Sequence, residues 1–300
     1  MKLSHFFLAI FVMAIWGVNF SVIKIGLASV DPFVLAGLRF ALCALPAVFF
    51  IERPSVPLKY IALYGLIFGV GLWGVVNVGI QVGISAGIAS LILQFSAFFT
   101  MLLGAWVFKE RLSPYQIYGM GIALLGLALI IAVTDGSVTY AGVVLVVLGA
   151  ASWSVANVLV KKIAVRQIFE FLVWSSLFSP IPLFLISYFE HGWVGYVRLF
   201  NHFDGKALFS ILFQVYPTTL FGYWVWNSLL KKYPVSTVAP LSLMVPIFGM
   251  LGSIAIFGES VGAVKLAAMV FILLGLIVGL YGHRVRTYFD FKIQSRSGKF

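Results

Sequence analysis

Two cations, Lys24 and Arg39, stand inside long apolar runs of this chain, where a charge is costly enough to need a reason. Arg39 lies six residues into the run that begins at residue 33, about 9 Å along a helix at ~1.5 Å per residue. Two readings of it stand open: a guanidinium fork for a substrate carboxylate, or a structural Arg bonded to carbonyls or reaching out to the interface. Lys24 is close to a run's end and reads as snorkelling. Amides and indoles recur around these cations at helical spacing. Trp16 and Asn19 are i, i+3; Trp153 and Asn157 are i, i+4; Trp73, Asn77 and Gln81, and Ser90, Gln94 and Phe98, continue at i, i+4. Each set falls on one side of its helix. Facing a cavity, the amides could bond an ammonium and a carboxylate while indole rings wall the sides or stack on the cation. The alternative is interhelical glue, about 0.6 kcal/mol per buried amide. With Trp16 and Trp153 at corresponding places in the two halves, a central cavity is expected, joined by Tyr223, Trp226 and Ser242.

Other chemistries lack their residues. His5, His191, His202 and His283 sit at run ends or in connections, so neither a metal cluster nor an imidazole relay at mid-membrane is expected. The chain has no G-x-x-x-x-G-K-[ST] loop. Its one G-x-G-x-x-G, from Gly69 to Gly74, lies in an apolar run with no strand before it. No enzyme activity, cofactor or metal is expected. All nine Asp and Glu fall at the two boundaries. That leaves no coupling carboxylate in the interior, so coupling through a boundary carboxylate such as Glu259 and export down the metabolite's own gradient both stand open.

The elements that must position these residues follow from composition. Of 300 residues, 62% are hydrophobic and 10% charged, with mean hydropathy +1.09, against about 25% charged in a soluble globule. The apolar runs are long enough to cross roughly 30 Å of hydrocarbon, and being continuous they predict helices rather than barrel strands. The fold expected is an all-α integral membrane protein of ten transmembrane helices, near 5–27, 33–51, 60–82, 84–107, 114–133, 140–160, 168–188, 207–230, 235–257 and 262–282. The first run reads as a retained helix and not as a signal peptide. Fifteen of the twenty Lys and Arg fall on one side of this arrangement and three on the other, which places both termini in the cytoplasm. The net charge of +11 is thereby a topology signal, and no nucleic-acid partner is expected. The basic segment 283–300 is expected to meet anionic lipid at the cytoplasmic face.

The chain also repeats itself. Ala14 to Asn19 and Lys24 align with Ala151 to Ala156 and Lys161, while Phe108, Glu110 and Leu124 to Gly126 align with Phe257, Glu259 and Leu273 to Gly275. An odd number of helices per unit inverts the second unit, so two inverted five-helix repeats are expected, 1–137 and 138–282, with a substrate site between them near the midplane. Pro240 and Pro246 bracket Ser242 as a kink or hinge. Gly275 to Gly279 reads as close helix packing.

Trp16 to Phe20, Ala36 to Phe40, Ala86 to Leu91, Gly104 to Leu112 and Val238 to Leu243 resemble, in that order, the EamA-type family of the drug/metabolite transporter superfamily. The resemblance implies a ten-helix exporter of small metabolites in a bacterial inner membrane, with amino acids or derivatives such as cysteine or O-acetylserine as cargo, in a monomer or homodimer. A channel would want a continuous polar pore or a charged ring, and a structural or receptor-like protein leaves the repeat unexplained. Alternating access by a secondary transporter is therefore the expectation.

Overall fold

The structure is a computed structural model. It describes residues 1–133 and 135–296, with side chains through Gly282 except at 198, 200, 202, 235 and 236. The side chains of the basic segment 283–300, expected to meet lipid, lie outside the described residues.

Among the described residues all regular structure is helical, and nine helices are long and apolar enough to cross a membrane: Leu3–Leu27, Pro32–Phe49, Leu58–Gln81, Ala86–Phe108, Pro114–Ile131, Tyr140–Lys162, Ile168–His191, Ala239–Phe257 and Ala263–Gly282. The chain is a multi-pass membrane protein. The run expected near 207–230 also forms a helix, through Gly205–Phe213, Gln214–Phe221 and Gly222–Lys232 in unbroken succession. Gln214, Thr218, Thr219 and Asn227 lie buried along it. That polarity keeps it apart from the nine.

Local chemistry sets the helix starts. Asp31 accepts hydrogen bonds from Phe33 N and Val34 N at 2.9 and 3.1 Å, with Pro32 at the first helical position; this satisfies donors that no intrahelical carbonyl can reach. Ser85, Thr139 and Asp204 cap the helices after them. Ser113 and Gln116 bond reciprocally as a capping box. Two helices end in the left-handed region, at Lys109 with φ 56° and Gly258 with φ 64°. A glutamate, Glu110 or Glu259, comes next in each case.

Six described segments depart from α geometry, among them short 3-10 turns at Ala47–Phe49 and Ser176–Phe178. Leu66–Gly74 and Gln214–Phe221 are wound as π turns, while Leu93–Phe95 and Ala239–Met244 are 3-10. Each shift of hydrogen-bond partner leaves carbonyls free for side chains. Thr219 Oγ1 donates to Gln214 O at 2.7 Å, and Pro217, which has no N–H to give, sits where the π winding asks for none.

Packing pairs the helices in a pattern that repeats. Leu3–Leu27 lies against Ala239–Phe257 and the 205–232 helix, and Tyr140–Lys162 lies against Ala86–Phe108 and Leu58–Gln81. Pro32–Phe49 meets Ile168–His191. Pro114–Ile131 pairs with Ala263–Gly282 through glycine: a Cβ at Gly119 would run into Gly275 O, and one at Gly275 into Gly119 O. With Gly279 also against Gly119, these glycines pack within the monomer. Gly119→Val should force the two backbones apart, costing about 1 to 3 kcal/mol and lowering the melting temperature in detergent. The same change at Gly121, where an added Cβ meets nothing, should leave melting within error; equal melting for both variants would show that this close approach is not needed.

Candidate functional site: a central cavity with one buried cation

A cavity of about 410 Å³ opens among these helices. Of the residues singled out from the sequence, Trp16, Asn19, Arg39, Trp73, Ser90, Gln94, Trp153, Asn157, Tyr223, Trp226 and Ser242 line it. Asn77 does not. It is buried behind the wall, where its Nδ2 donates to Pro32 O at 3.1 Å. The i, i+4 spacing of Trp73, Asn77 and Gln81 shares a face only on an unbroken α-helix, and the π turns over Leu66–Gly74 rotate the next turn of helix out of phase with Trp73. Gln81 lines a different cavity, with Asp31 and His191.

Arg39 comes from Pro32–Phe49 and is 1% exposed. Its Nε and Nη2 donate to Thr219 Oγ1 at 3.1 and 3.0 Å. Its guanidinium carbon lies 4.3 Å from the Trp73 ring centroid, and Nη1 has no partner. No carboxylate pairs with it among the described residues. Neither backbone carbonyls nor the interface hold it, the two forms the structural reading took; its partners are a hydroxyl and an indole face. A buried cation without a counter-charge is normally several kcal/mol unfavourable.

An aromatic wall adjoins it. Trp16 donates from Nε1 to Thr218 O at 2.9 Å, a carbonyl inside the π segment, and its ring lies 5.1 Å from Tyr223 and 5.6 Å from Trp226. Trp73 lies 6.0 Å from Phe20. The amides divide. Asn19 Oδ1 accepts from Thr218 Oγ1 at 3.1 Å, Gln94 Nε2 donates to Ser242 O at 3.4 Å, and Asn157 donates to Thr100 Oγ1 at 3.2 Å. Each takes part in the glue the sequence allows and still borders the cavity. The wall also holds Tyr64, Thr218 and Asn227, which the sequence reading did not single out. Asn227 stands four residues after Tyr223, a spacing that could have found it; Thr218 stands five before, hidden by the π winding.

At each end of the helix assembly sits a matched ion pair. Lys24 Nζ meets Glu259 Oε1 at 2.8 Å and lies 4.4 Å from the Phe257 ring centroid. Lys161 Nζ meets Glu110 Oε1 at 2.8 Å and lies 4.3 Å from the Phe108 ring centroid. Lys24 does not snorkel as its sequence position suggests; a specific carboxylate holds it. The two sites differ in cover, since the Lys24 and Glu259 side chains are 34% and 13% exposed and those of Lys161 and Glu110 are 58% and 55%. Burial pushes the Glu259 carboxyl up, but hydrogen bonds from Lys24, Ser253 and Ser85 outweigh it and leave the pKa below the ordinary value. Next to it Lys265 meets Asp135 at 2.7 Å, and hydrogen bonds from Lys265 and Ser137 draw that carboxyl down to about 2. Ser85 N donates to Ser137 O at 2.8 Å, tying residues 135–139 to the same cluster. None of these residues lines the central cavity, whose walls instead reach Asn157, Val160, Ile168 and Leu230, beside Lys161 and Lys231.

The model of the EamA-like transporter family matches this chain twice, over residues 3–132 and 140–281. The chain belongs to the EamA-like transporter family. It is 40% identical over 286 residues to a probable amino-acid metabolite efflux pump of Salmonella typhimurium, covering 93% of this chain and 96% of that protein. A probable amino-acid metabolite efflux pump of Escherichia coli is 36% identical over 285 residues, covering 93% and 95%. One crystal structure of a protein matches the fold with a TM-score of 0.64 at 18% identity, covering 91% of this chain and 95% of that one. As a member of this family the protein is a membrane transporter.

Proposed function

We propose that this protein exports small amino-acid-like metabolites across a bacterial inner membrane as a secondary transporter, by alternating access at the central cavity. Ten spans in two inverted repeats, 1–137 and 138–282, would form it, the 205–232 helix being the eighth span. Support for the repeat comes from the double family match, from the twin Phe-x-Glu and Lys pairs, and from helix packing that keeps its pattern when the halves are exchanged. The side bearing Lys161 is taken as cytoplasmic because Lys and Arg gather there. The export direction and amino-acid cargo rest on the names of the Salmonella and Escherichia relatives.

Arg39 carries the reading. A guanidinium at the depth of a membrane cavity, bonded to one hydroxyl and opposed by no carboxylate among the described residues, is costly in the empty protein and would be compensated by a carboxylate-bearing cargo. The cavity's volume, about 410 Å³, falls within the range of roughly 300 to 1,000 Å³ usual for small-molecule sites. Two ion pairs at opposite ends provide alternating closures around one site. In proteoliposomes, uptake of labelled amino acid should saturate and should accelerate when unlabelled amino acid is loaded inside. Flux that rises linearly with concentration and ignores the trans side would instead mark a channel.

A further inference from the structure

The wall of the central cavity carries charge of one sign. Among the described residues Arg39 is its sole ionic side chain, and the wall holds no Asp or Glu. Four buried polar atoms of its lining residues have no partner: Asn19 Nδ2, Arg39 Nη1, Trp73 Nε1 and Asn227 Nδ2. All four are donors. Arg and Trp side chains cannot act as acceptors in any orientation. Three of the lining hydroxyls have committed their protons, Ser90 to Gly87 O, Thr218 to Asn19 Oδ1 and Ser242 to Ala239 O, and the acceptors the side chains of the wall offer are neutral oxygens.

We infer that this cavity, if it is the transport site proposed above, selects carboxylates whose amine is absent or masked by acylation over the corresponding zwitterions, and rejects cationic amino acids. A carboxylate answers the guanidinium and takes up spare donors with charge-assisted bonds. An acyl carbonyl or a hydroxyl oxygen adds a neutral acceptor for the remainder. A free ammonium brings three donors into a wall that already has donors to spare, beside a fixed cation in a medium of low dielectric. The rings of Trp16, Tyr223 and Trp226 could face it, but a cation over an aromatic ring recovers less than removing an ammonium from water costs. Blocking the carboxylate removes the anchor and leaves only the repelled charge.

The test is a competition series on reconstituted protein, using N-acetylalanine and lactate as anions, alanine as zwitterion and alaninamide as cation, all built on one side chain. Half-inhibition of counterflow is expected at a concentration at least tenfold lower for one of the two anions than for alanine, with no inhibition by alaninamide. Arg39→Gln should reduce that preference to about twofold or less while Arg39→Lys retains it; the ranking in the unaltered protein stands as a test even where a variant is poorly folded. Alanine matching or exceeding both anions, or alaninamide competing, overturns the inference and leaves the transport reading intact. Absence of exchange with any of the four and with free amino acids generally overturns both.

Discussion

Replacing Arg39 by Met should make the protein more stable and nearly inactive. In the substrate-free structure this guanidinium is desolvated, unpaired by any carboxylate among the described residues, and bonded only through Thr219 Oγ1. Removing it orphans nothing on that side, because the Thr219 hydroxyl donates onward to Gln214 O. Met supplies a side chain of similar length for contact with Trp73 and Phe40, which now face the guanidinium at 4.3 and 5.5 Å. Exchanging a buried ionic group for an apolar one is often stabilising by ~1 to 4 kcal/mol, so melting in detergent should rise by several degrees. Transport should move the opposite way. Losing two charge-assisted hydrogen bonds to a substrate carboxylate, at ~1.5 to 3 kcal/mol each, corresponds to a fall of about 100-fold or more in exchange rate at low substrate. A structural Arg would give the reverse pattern, lower melting with transport largely kept, and that result would remove Arg39 from the site. The expected combination is the signature of a residue retained for its ligand at the expense of the empty fold.

How far these features can be read from the sequence depends on whether helices stay regular. Continuous apolar runs need only length and hydropathy to be seen, and nine of the expected helices coincide with membrane-length helices to within a few residues. The 205–232 helix shows the limit of composition. Its Gln214, Thr218, Thr219 and Asn227 are buried inward, which a hydropathy scale counts as evidence against a span although they face protein. Cavity residues on regular helix, such as Trp16 with Asn19 and Trp153 with Asn157, are legible because i, i+3 and i, i+4 spacing holds there. Asn77 is misplaced by its spacing and Thr218 escapes it because each is separated from its neighbouring aromatic by π turns, and no residue type announces a π turn. Glu110 and Glu259 align in the repeat as residues, but their partners across the other half become visible only once the halves are packed together.

Two of the departures from α geometry have counterparts in the other half of the chain. The π segments Leu66–Gly74 and Gln214–Phe221, and the 3-10 segments at Leu93–Phe95 and Ala239–Met244, all carry lining residues of the cavity. Irregular backbone at membrane depth is tolerated where it borders a cavity or is covered by protein, because freed carbonyls find partners there; Trp16 on Thr218 O and Gln94 on Ser242 O are two such cases. The regular helices Pro114–Ile131 and Ala263–Gly282 line none of it and pack on each other through glycine.

On the alternating-access proposal, neutralising Glu259 and Glu110 should bias the protein in opposite directions. In this structure the Lys24 and Glu259 pair is the better covered and lies on the end the cavity does not reach, while the Glu110 and Lys161 pair is half exposed beside the opening. Glu259→Gln removes a carboxylate that holds Lys24 and also accepts hydrogen bonds from Ser253 and Ser85. Leaving those partners unanswered in a half-buried site costs about 1 to 3 kcal/mol, which loosens closure on that side by roughly 5- to 150-fold in population. Glu110→Gln removes an exposed pair worth ~0.2 to 1 kcal/mol, and its larger effect should come in the opposite conformation, where the repeat relationship predicts that this pair becomes the covered one. The measurement is alkylation of a single cysteine placed at Ser90, in protein whose Cys43 has been changed to Ala, using an impermeant reagent applied from each side of the membrane. Glu259→Gln should raise labelling from the Lys24 side several-fold and lower it from the Lys161 side, with Glu110→Gln shifting labelling the other way. Exchanging charges, Lys24→Glu with Glu259→Lys, should return labelling toward the parent because the pair reforms with its sign reversed. Equal labelling in both single variants would mean that these pairs hold helices together without governing which face is open.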